Sequence, residues 1–294
     1  MKIHLISPLL QQAAQKKKGR KAKAKPINRS KKVEIDYLGQ LLKITRQCHN
    51  GVLESIIPIL RQQRINDSQN IQVSDGILDI FLSAMAALRS KMNGVVDTVA
   101  LDIARRIVQQ NKAATDKQLA LIIYNSTGID LSSLMSSEDL AEVVAEAVAA
   151  NVALIKSLPK QHLDQVEQIV LNGLQSGQRA ESMVEAIKAL GAKNESRAAL
   201  IARDQVGKIT SRLTQVRQQK MGITHYYWSC SLDERVRPVH YARHNKLFAW
   251  AEPPAGGHPG IDYRCRCVAI PYTAHLFNPN APTPEEIMAM QNAA

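Results

Sequence analysis

The spacing of apolar residues changes once along this chain, at Gly222, and the change limits the fold to two kinds of structure. From about residue 33 to Met221, apolar residues return every three or four positions, as Ile35, Leu38, Leu41, Leu42 and Ile44 do near the start. That is the period of an amphipathic helix. Pro58 interrupts an apolar stretch, and segments over about 76–92, 95–112, 115–125 and 138–157 repeat the pattern. In the last of them Glu142 and Glu146 mark a polar face beside Val143, Val144, Val148 and Leu154. Ser157, Leu158 and Pro159 predict a break, followed by helices over 160–175 and 178–190, with Gly191 as a C-cap. Asn194 then reads as the N-cap of one long helix reaching Met221. Beyond Gly222 the period is lost. Ile223–Ser231 is rich in aromatic and β-branched residues and predicts a strand, with further strands over 246–250 and 264–271. Between them Pro253, Pro254, Gly256, Gly257, Pro259 and Gly260 cluster, and a short helix opens at Thr283-Pro284-Glu285. The expected fold is mainly α with a small α+β C-terminal domain: a helical region, a long linking helix, then a few-stranded antiparallel sheet.

A length of 294 residues is enough for two domains, each with its own core. The expected division is a basic disordered tail over 1–32, a helical domain over 33–192, an α+β domain over 193–275, and a C-terminal tail with a short helix over 276–294. The two domains are expected to be separately compact, joined where Gly173, Ser176, Gly177 and Gly191 accumulate before Asn194. Four cysteines, Cys48, Cys230, Cys265 and Cys267, are too few for a secreted disulfide scaffold. The opening apolar stretch is broken by Pro8 and precedes the positive charge, the wrong order for a signal peptide. No run approaches the length of a membrane span. Synthesis in a reducing cytoplasm and no membrane partner are therefore expected.

Charge is distributed unevenly. Lys2, Lys16, Lys17, Lys18, Arg20, Lys21, Lys23, Lys25, Arg29, Lys31 and Lys32 stand in the first 32 residues with no Asp or Glu, while the whole chain carries a formal +12. The remainder is close to neutral. Such a tail has little to bury against the entropy of ordering, so it should stay disordered until it meets a polyanion. Double-stranded DNA is the expected partner, since each cation placed on a phosphate releases counterions without reading bases. The alternative is a solvated, solubilising arm.

The segment WSCSLDERVRPVHYARHNKLFAW, over 228–250, and PPAGGHPGIDYRCRC, over 253–267, resemble the Mu F-like domain of phage head-morphogenesis proteins. The family pattern is a strand with Trp, an Asp-x-Arg-Val-Arg-x-x-His signature, an aromatic strand, a Pro-rich loop and a closing Cys-Arg-Cys. Here those positions are Trp228, Asp233, Arg235, Val236, Arg237, His240, Phe248, Trp250, Pro253, Pro254, Cys265, Arg266 and Cys267. The preceding ARDQVGKITSRLTQVRQ is similar to the family's long helix, with Arg203, Asp204 and Gln205 at its polar spot. The resemblance covers about 195–272, about a quarter of the chain. Asn245 stands where many members have Gly, and Asn tolerates a left-handed backbone. Cys230 stands where the family often has a hydroxyl residue and takes no family role. The resemblance implies a minor head protein of a tailed phage, made in the bacterial cytoplasm and held in the virion at the head interior near the portal. It implies the portal protein, and the major capsid or scaffold protein, as partners.

Taken as chemistry, Cys265 and Cys267 lie two apart in an expected strand, which would put both thiols on one face and Arg266 on the other. His240 and His244 are four apart on an expected short helix, and His258 stands in the Pro/Gly loop. A tetrahedral structural zinc would be completed by His240, Cys265 and Cys267 with either His258 or His244. The alternative is two buried free cysteines packing as small hydrophobes. Asp233, Arg235, Arg237 and Arg266 would either fix the loop as a salt-bridge cluster or face a phosphate or partner protein. Asp233 with His240 is the one acid–base pair that the motif offers, and no Walker loop, G-x-S-x-G elbow or H-E-x-x-H helix accompanies it. An enzyme is not expected. The competing readings are a zinc-stabilised nucleic-acid-binding module and a toxin-related enzyme domain.

Overall fold

The computed structural model describes residues 26–66, 75–127, 140–274 and 280–293, together with Asp130, Ser132 and Met135. Its principal elements are helices α1 (Lys31–Ser55), α2 (Ile57–Asn66), α3 (Asp75–Thr127), α4 (Ala141–Gln175) and α5 (Ala180–Lys220), strand β1 (His225–Ser229), helix α6 (Pro238–Tyr241), strands β2 (Leu247–Ala249) and β3 (Val268–Pro271), and helix α7 (Pro284–Ala293). The fold is mainly helical with a small three-stranded antiparallel sheet near the C-terminus, as the sequence predicts. No helix among the described residues is long and apolar enough to cross a membrane.

The chain divides into two compact units. One comprises Ile35–Ile107 and Glu146–Arg203; the other comprises Met1–Glu34, Val108–Ala145 and Asp204–Ala294. In the first unit α1 buries Tyr37, Leu41, Ile44, Cys48 and Val52, spaced three or four apart, and Ile35 is instead 66% exposed. The inward stripe thus runs through Tyr37 and not through the Ile35 that the apolar pattern includes. Pro58 sits in the first turn of α2, where the missing N–H costs nothing. In α4 the buried positions Asn151, Ile155, Leu158, His162, Val166 and Val170 keep the helical period straight through Pro159. The break expected there does not occur, and the guanidinium of Arg197 donates to the Ser157 hydroxyl at 2.9 Å beside it.

The segments expected over 76–92, 95–112 and 115–125 form the single helix α3. Likewise α5 runs uninterrupted through Gly191 and Asn194. Gly191 is not a C-cap: a Cβ there would stand 2.7 Å from His49 Nε2, so the glycine serves close packing. Nor is Asn194 an N-cap. Its amide donates to the Leu190 carbonyl at 2.9 Å and meets His162 Nδ1 at 2.6 Å, both away from any helix end.

In the second unit α5 ends in a Schellman motif. Gly222 adopts φ 77°, the Gly222 N–H donates to the Gln219 carbonyl at 3.0 Å, and the Ile223 N–H donates to the Gln218 carbonyl at 2.9 Å. A left-handed residue is needed to turn the chain out of the helix and into β1, and glycine takes it without a Cβ penalty. β1 is central, pairing antiparallel with β2 (Tyr226 opposite Phe248) and with β3 (Trp228 opposite Ala269). Edge strand β2 is closed by α7, whose Gln291 side chain accepts the Leu247 N–H at 3.2 Å. Thr283 and Glu286 form a reciprocal capping box at the start of α7. Arg217 is fully buried on α5 and held by Asp116 at 2.9 Å.

The basic residues Lys2, Lys16, Lys17, Lys18, Arg20, Lys21, Lys23 and Lys25 lie outside the described residues. Arg29, Lys31 and Lys32 lie inside them and do not belong to a disordered arm. Lys31 and Lys32 open α1, and Arg29 pairs with Glu34 at 3.0 Å. The reason is packing against residues distant in sequence: Ile27 is buried with Leu119, Ile123, Met135, Met221 and Ile223, and Asn28 exchanges two hydrogen bonds with the Gln118 side chain.

Candidate functional site

The motif residues assemble around the inward face of β1. Strand alternation turns Tyr226 and Trp228 into the core and carries the same direction on to Cys230, one residue past the strand. These three pack with Trp250, Cys267 and Ala269. Asn245 takes φ 61° and donates its N–H to the Trp228 carbonyl at 2.8 Å, so the turn that family members make with glycine is made here with asparagine.

Arg266 grips Asp233 through both guanidinium nitrogens, and Asp233 also accepts the Arg235 N–H at 3.1 Å. The Arg266 guanidinium, helped by the Arg235 N–H, holds the Asp233 carboxyl below the usual carboxylate range. Arg237 pairs with Asp262 at 2.9 Å and donates to the Tyr263 carbonyl at 2.7 Å. Arg235 is exposed. Three of the four charged motif residues therefore stand in two half-exposed pairs, Asp233 with Arg266 and Arg237 with Asp262, and not in a buried cluster. Both pairs pin the Pro/Gly loop to the turn after β1. From α5, Asp204 accepts the N–H of Arg264 at 2.8 Å, so the polar spot of the long helix fixes the backbone just before Cys265.

His240 is buried on α6, with its ring edge on Trp228. Its Nδ1 lies 3.5 Å from Cys265 Sγ and 3.7 Å from Cys267 Sγ. The ligand atoms of these three residues all fall within 4.8 Å of one another. They converge without the expected strand geometry. β3 starts only at Val268, opposite Ser229 where β1 ends, so the cysteines have no partner strand and lie on irregular backbone after Arg264 (φ 58°).

Neither of the other histidines joins them. His258 is buried against Trp250, and its Nδ1 meets the Tyr226 hydroxyl at 2.9 Å. Burial pushes its pKa down. His244 is not on the helix, which stops at Tyr241; its Nδ1 accepts the Cys230 N–H at 3.1 Å. The third thiol near the cluster is Cys230, whose Sγ is 3.2 Å from Cys267 Sγ. Sequence reasoning missed it, although its place two residues after Trp228 marks it as facing inward.

Hydrogen bonds from the Cys267 side chain first, then from the Cys267 and Gly260 backbone, bring the Cys265 thiol down to about 5 against its burial. Cys267, facing that sulfur and Cys230 in a buried place, is pushed far up. Asp233 is not the acid partner of His240. The carboxylate that approaches the ring is Asp262, 3.6 Å from Nε2. The arrangement offers converging soft ligands, two thiols and an imidazole.

Comparison with known proteins gives two findings. A family described as Phage Mu protein F like protein matches residues 164–270, which takes in α5, β1, β2, all but the last residue of β3 and all the motif residues. A protein of Haemophilus influenzae (strain ATCC 51907 / DSM 11121 / KW20 / Rd), named only as an uncharacterized protein, is 35% identical over 256 residues. That alignment takes in 86% of this chain and 56% of the relative, so the chain spans about half the length of the curated relative it matches. No solved structure matches the chain.

Proposed function

We propose that the chain is a minor head protein acting in head morphogenesis, a reading supported by the match of residues 164–270 to the Phage Mu protein F like family, which suggests a head-related phage protein. The observation that carries the reading is that the ordered motif within this segment is one physical object. Asp233 with Arg266, Arg237 with Asp262, and His240 with Cys265 and Cys267 all brace the same loop against β1. A family signature spent on bracing a loop suits a protein whose task is to present a surface during assembly. The family is generally non-enzymatic, and the partnering of Asp233 by Arg266 fits that character.

In the finer reading the chain docks at the portal or inner capsid wall, with the major capsid or scaffold protein as further contacts. The basic residues before α1 lie on packaged double-stranded DNA. Two measurements test this. Heads purified from cells carrying the gene should contain the chain in few copies, cross-linked to the portal protein; a chain that stays out of the head fraction overturns the assignment. Deleting residues 1–25 removes eight of the basic residues and leaves the Ile27 anchor in place. Duplex-DNA binding should then weaken equally for all sequences and lose much of its salt slope, since each phosphate contact contributes about 0.9 to that slope. Unchanged affinity and slope would remove DNA from the function.

A further inference from the structure

We propose that Cys230, His240, Cys265 and Cys267 hold a structural zinc ion in a tetrahedral thiolate–imidazole site. In such a site, Zn–S distances of about 2.3 Å and a Zn–N distance of about 2.0 Å place the ligand atoms roughly 3.5–3.8 Å apart. The two sulfur-to-nitrogen separations here, 3.5 and 3.7 Å, lie in that interval. Three ligand atoms already converge on one point. Cys230 stands at the edge of that triad and reaches it through Cys267, at 3.2 Å; a shared cation would open the two sulfurs to about 3.8 Å. At present the Cys230 thiol points at the His240 carbonyl at 3.1 Å, so binding would exchange that hydrogen bond for a metal bond and release the thiol proton.

The surroundings agree with a metal and not only with packed sulfur. His240 directs Nδ1 at the sulfurs and Nε2 toward the Asp262 carboxylate, the arrangement in which a carboxylate beyond the ring sets the tautomer of a ligating histidine. Three thiolates and one neutral imidazole around a divalent ion leave a net charge of minus one. The competing fourth ligands are already committed, His258 to Tyr226 and His244 to the Cys230 N–H.

The function of the ion follows from the chain it would join. Between α6 and β3 the only regular element among the described residues is the three-residue strand β2, and the Pro/Gly loop has little apolar area to bury. An ion tying residue 230 to 240 and to 265–267 closes both connections at once. Four protein ligands leave no position for water, so the site would stabilise and not catalyse.

The test uses the full chain purified under reducing conditions from zinc-supplemented medium. Elemental analysis should find one zinc per chain. Replacement by Co(II) should produce the visible bands of tetrahedral cobalt with sulfur-to-cobalt charge transfer, saturating at one equivalent. Cys230→Ser should lower the charge-transfer intensity by about a third, two thiolates replacing three. His258→Gln should leave cobalt uptake and spectrum unchanged. Wild-type protein that is folded, metal-free and unable to take up zinc or cobalt after reduction overturns the proposal, as does a preparation holding Cys230 and Cys267 as a disulfide with no metal. Zinc retained with an unchanged cobalt spectrum in Cys230→Ser, and lost in His258→Gln, overturns the ligand set. None of these outcomes depends on whether the chain is found in phage heads.

Discussion

The unit built from Ile35–Ile107 and Glu146–Arg203 and the segment from Gly222 to Tyr272 hold themselves together by opposite means. The helical unit stacks apolar stripes with one residue every turn, such as Phe81, Met85, Leu88, Met92 and Val96, and lets helices approach closely at Gly51, Gly173 and Gly191. Its buried polar groups are few and fully engaged: Tyr37 donates to Asn151 at 2.9 Å, and His162 bridges Asn194 and His49. The C-terminal segment has strands of five, three and four residues, and its core is two tryptophans, Tyr226, two buried thiols and Ala269. There each residue in a turn or loop carries a constraint of its own. Gly51, Gly173 and Gly191 serve close packing in the first region, whereas Gly222, Gly256, Gly257 and Gly260 take positive φ in the second.

The largest expected effect lies in the second region. Gly260 has φ 86°, and a Cβ there would stand 1.9 Å from Ser211 Oγ and 2.8 Å from Ser211 Cβ. Gly260→Ala should therefore cost on the order of 3 kcal/mol, from backbone strain and overpacking together. Urea unfolding measures it, and an unchanged midpoint would mean that the loop yields as easily as a helix surface.

Next comes acid sensitivity in the helical unit. Asn194 donates to His162 Nδ1, which leaves Nε2–H to donate to His49, so the packed form is the neutral ring. Burial, and then the neighbouring His49, lowers the His162 pKa from 6.5 to about 4. Below the unfolded value the denatured chain binds the extra proton, so the contribution is full above about pH 6.5 and is lost as pH falls toward 4. At most about 3 kcal/mol is at stake. His162→Gln should flatten the stability profile between these limits; a profile as steep as wild type would place the acid sensitivity elsewhere.

Smaller still is the contrast between two helix glycines. Gly191→Ala should lose about 1 kcal/mol, because the clash with His49 outweighs the helix propensity of alanine. In a His49→Ala background the same change should become stabilising. At Gly94 nothing lies within 4 Å of the added Cβ, and Gly94→Ala should gain about 0.5–1 kcal/mol. A thermal melt of the four variants decides whether packing or propensity governs this region.

The amino-acid order by itself determined the element types. Apolar period separates helix from strand because a helix and a strand repeat their inward face at different intervals, and Gly222 marks the change in both sequence and structure. The helix start at Thr283-Pro284-Glu285 and the left-handed Asn245 were equally legible, since each is set within a few residues of itself. Tertiary structure decided where helices do not stop. Pro159, Gly191 and Asn194 all look like ends, yet Leu158, His49 and His162 supply burial or hydrogen bonds that make continuing the better state. It also decided the company of the motif. His240, Cys265 and Cys267 could be nominated from spacing, but Cys230 in place of His258 or His244, and Asp262 in place of Asp233, depend on how the chain from Gly222 to Cys267 folds back on β1. Contacts between residues distant in sequence are set by the path of the backbone, and no local pattern encodes that path.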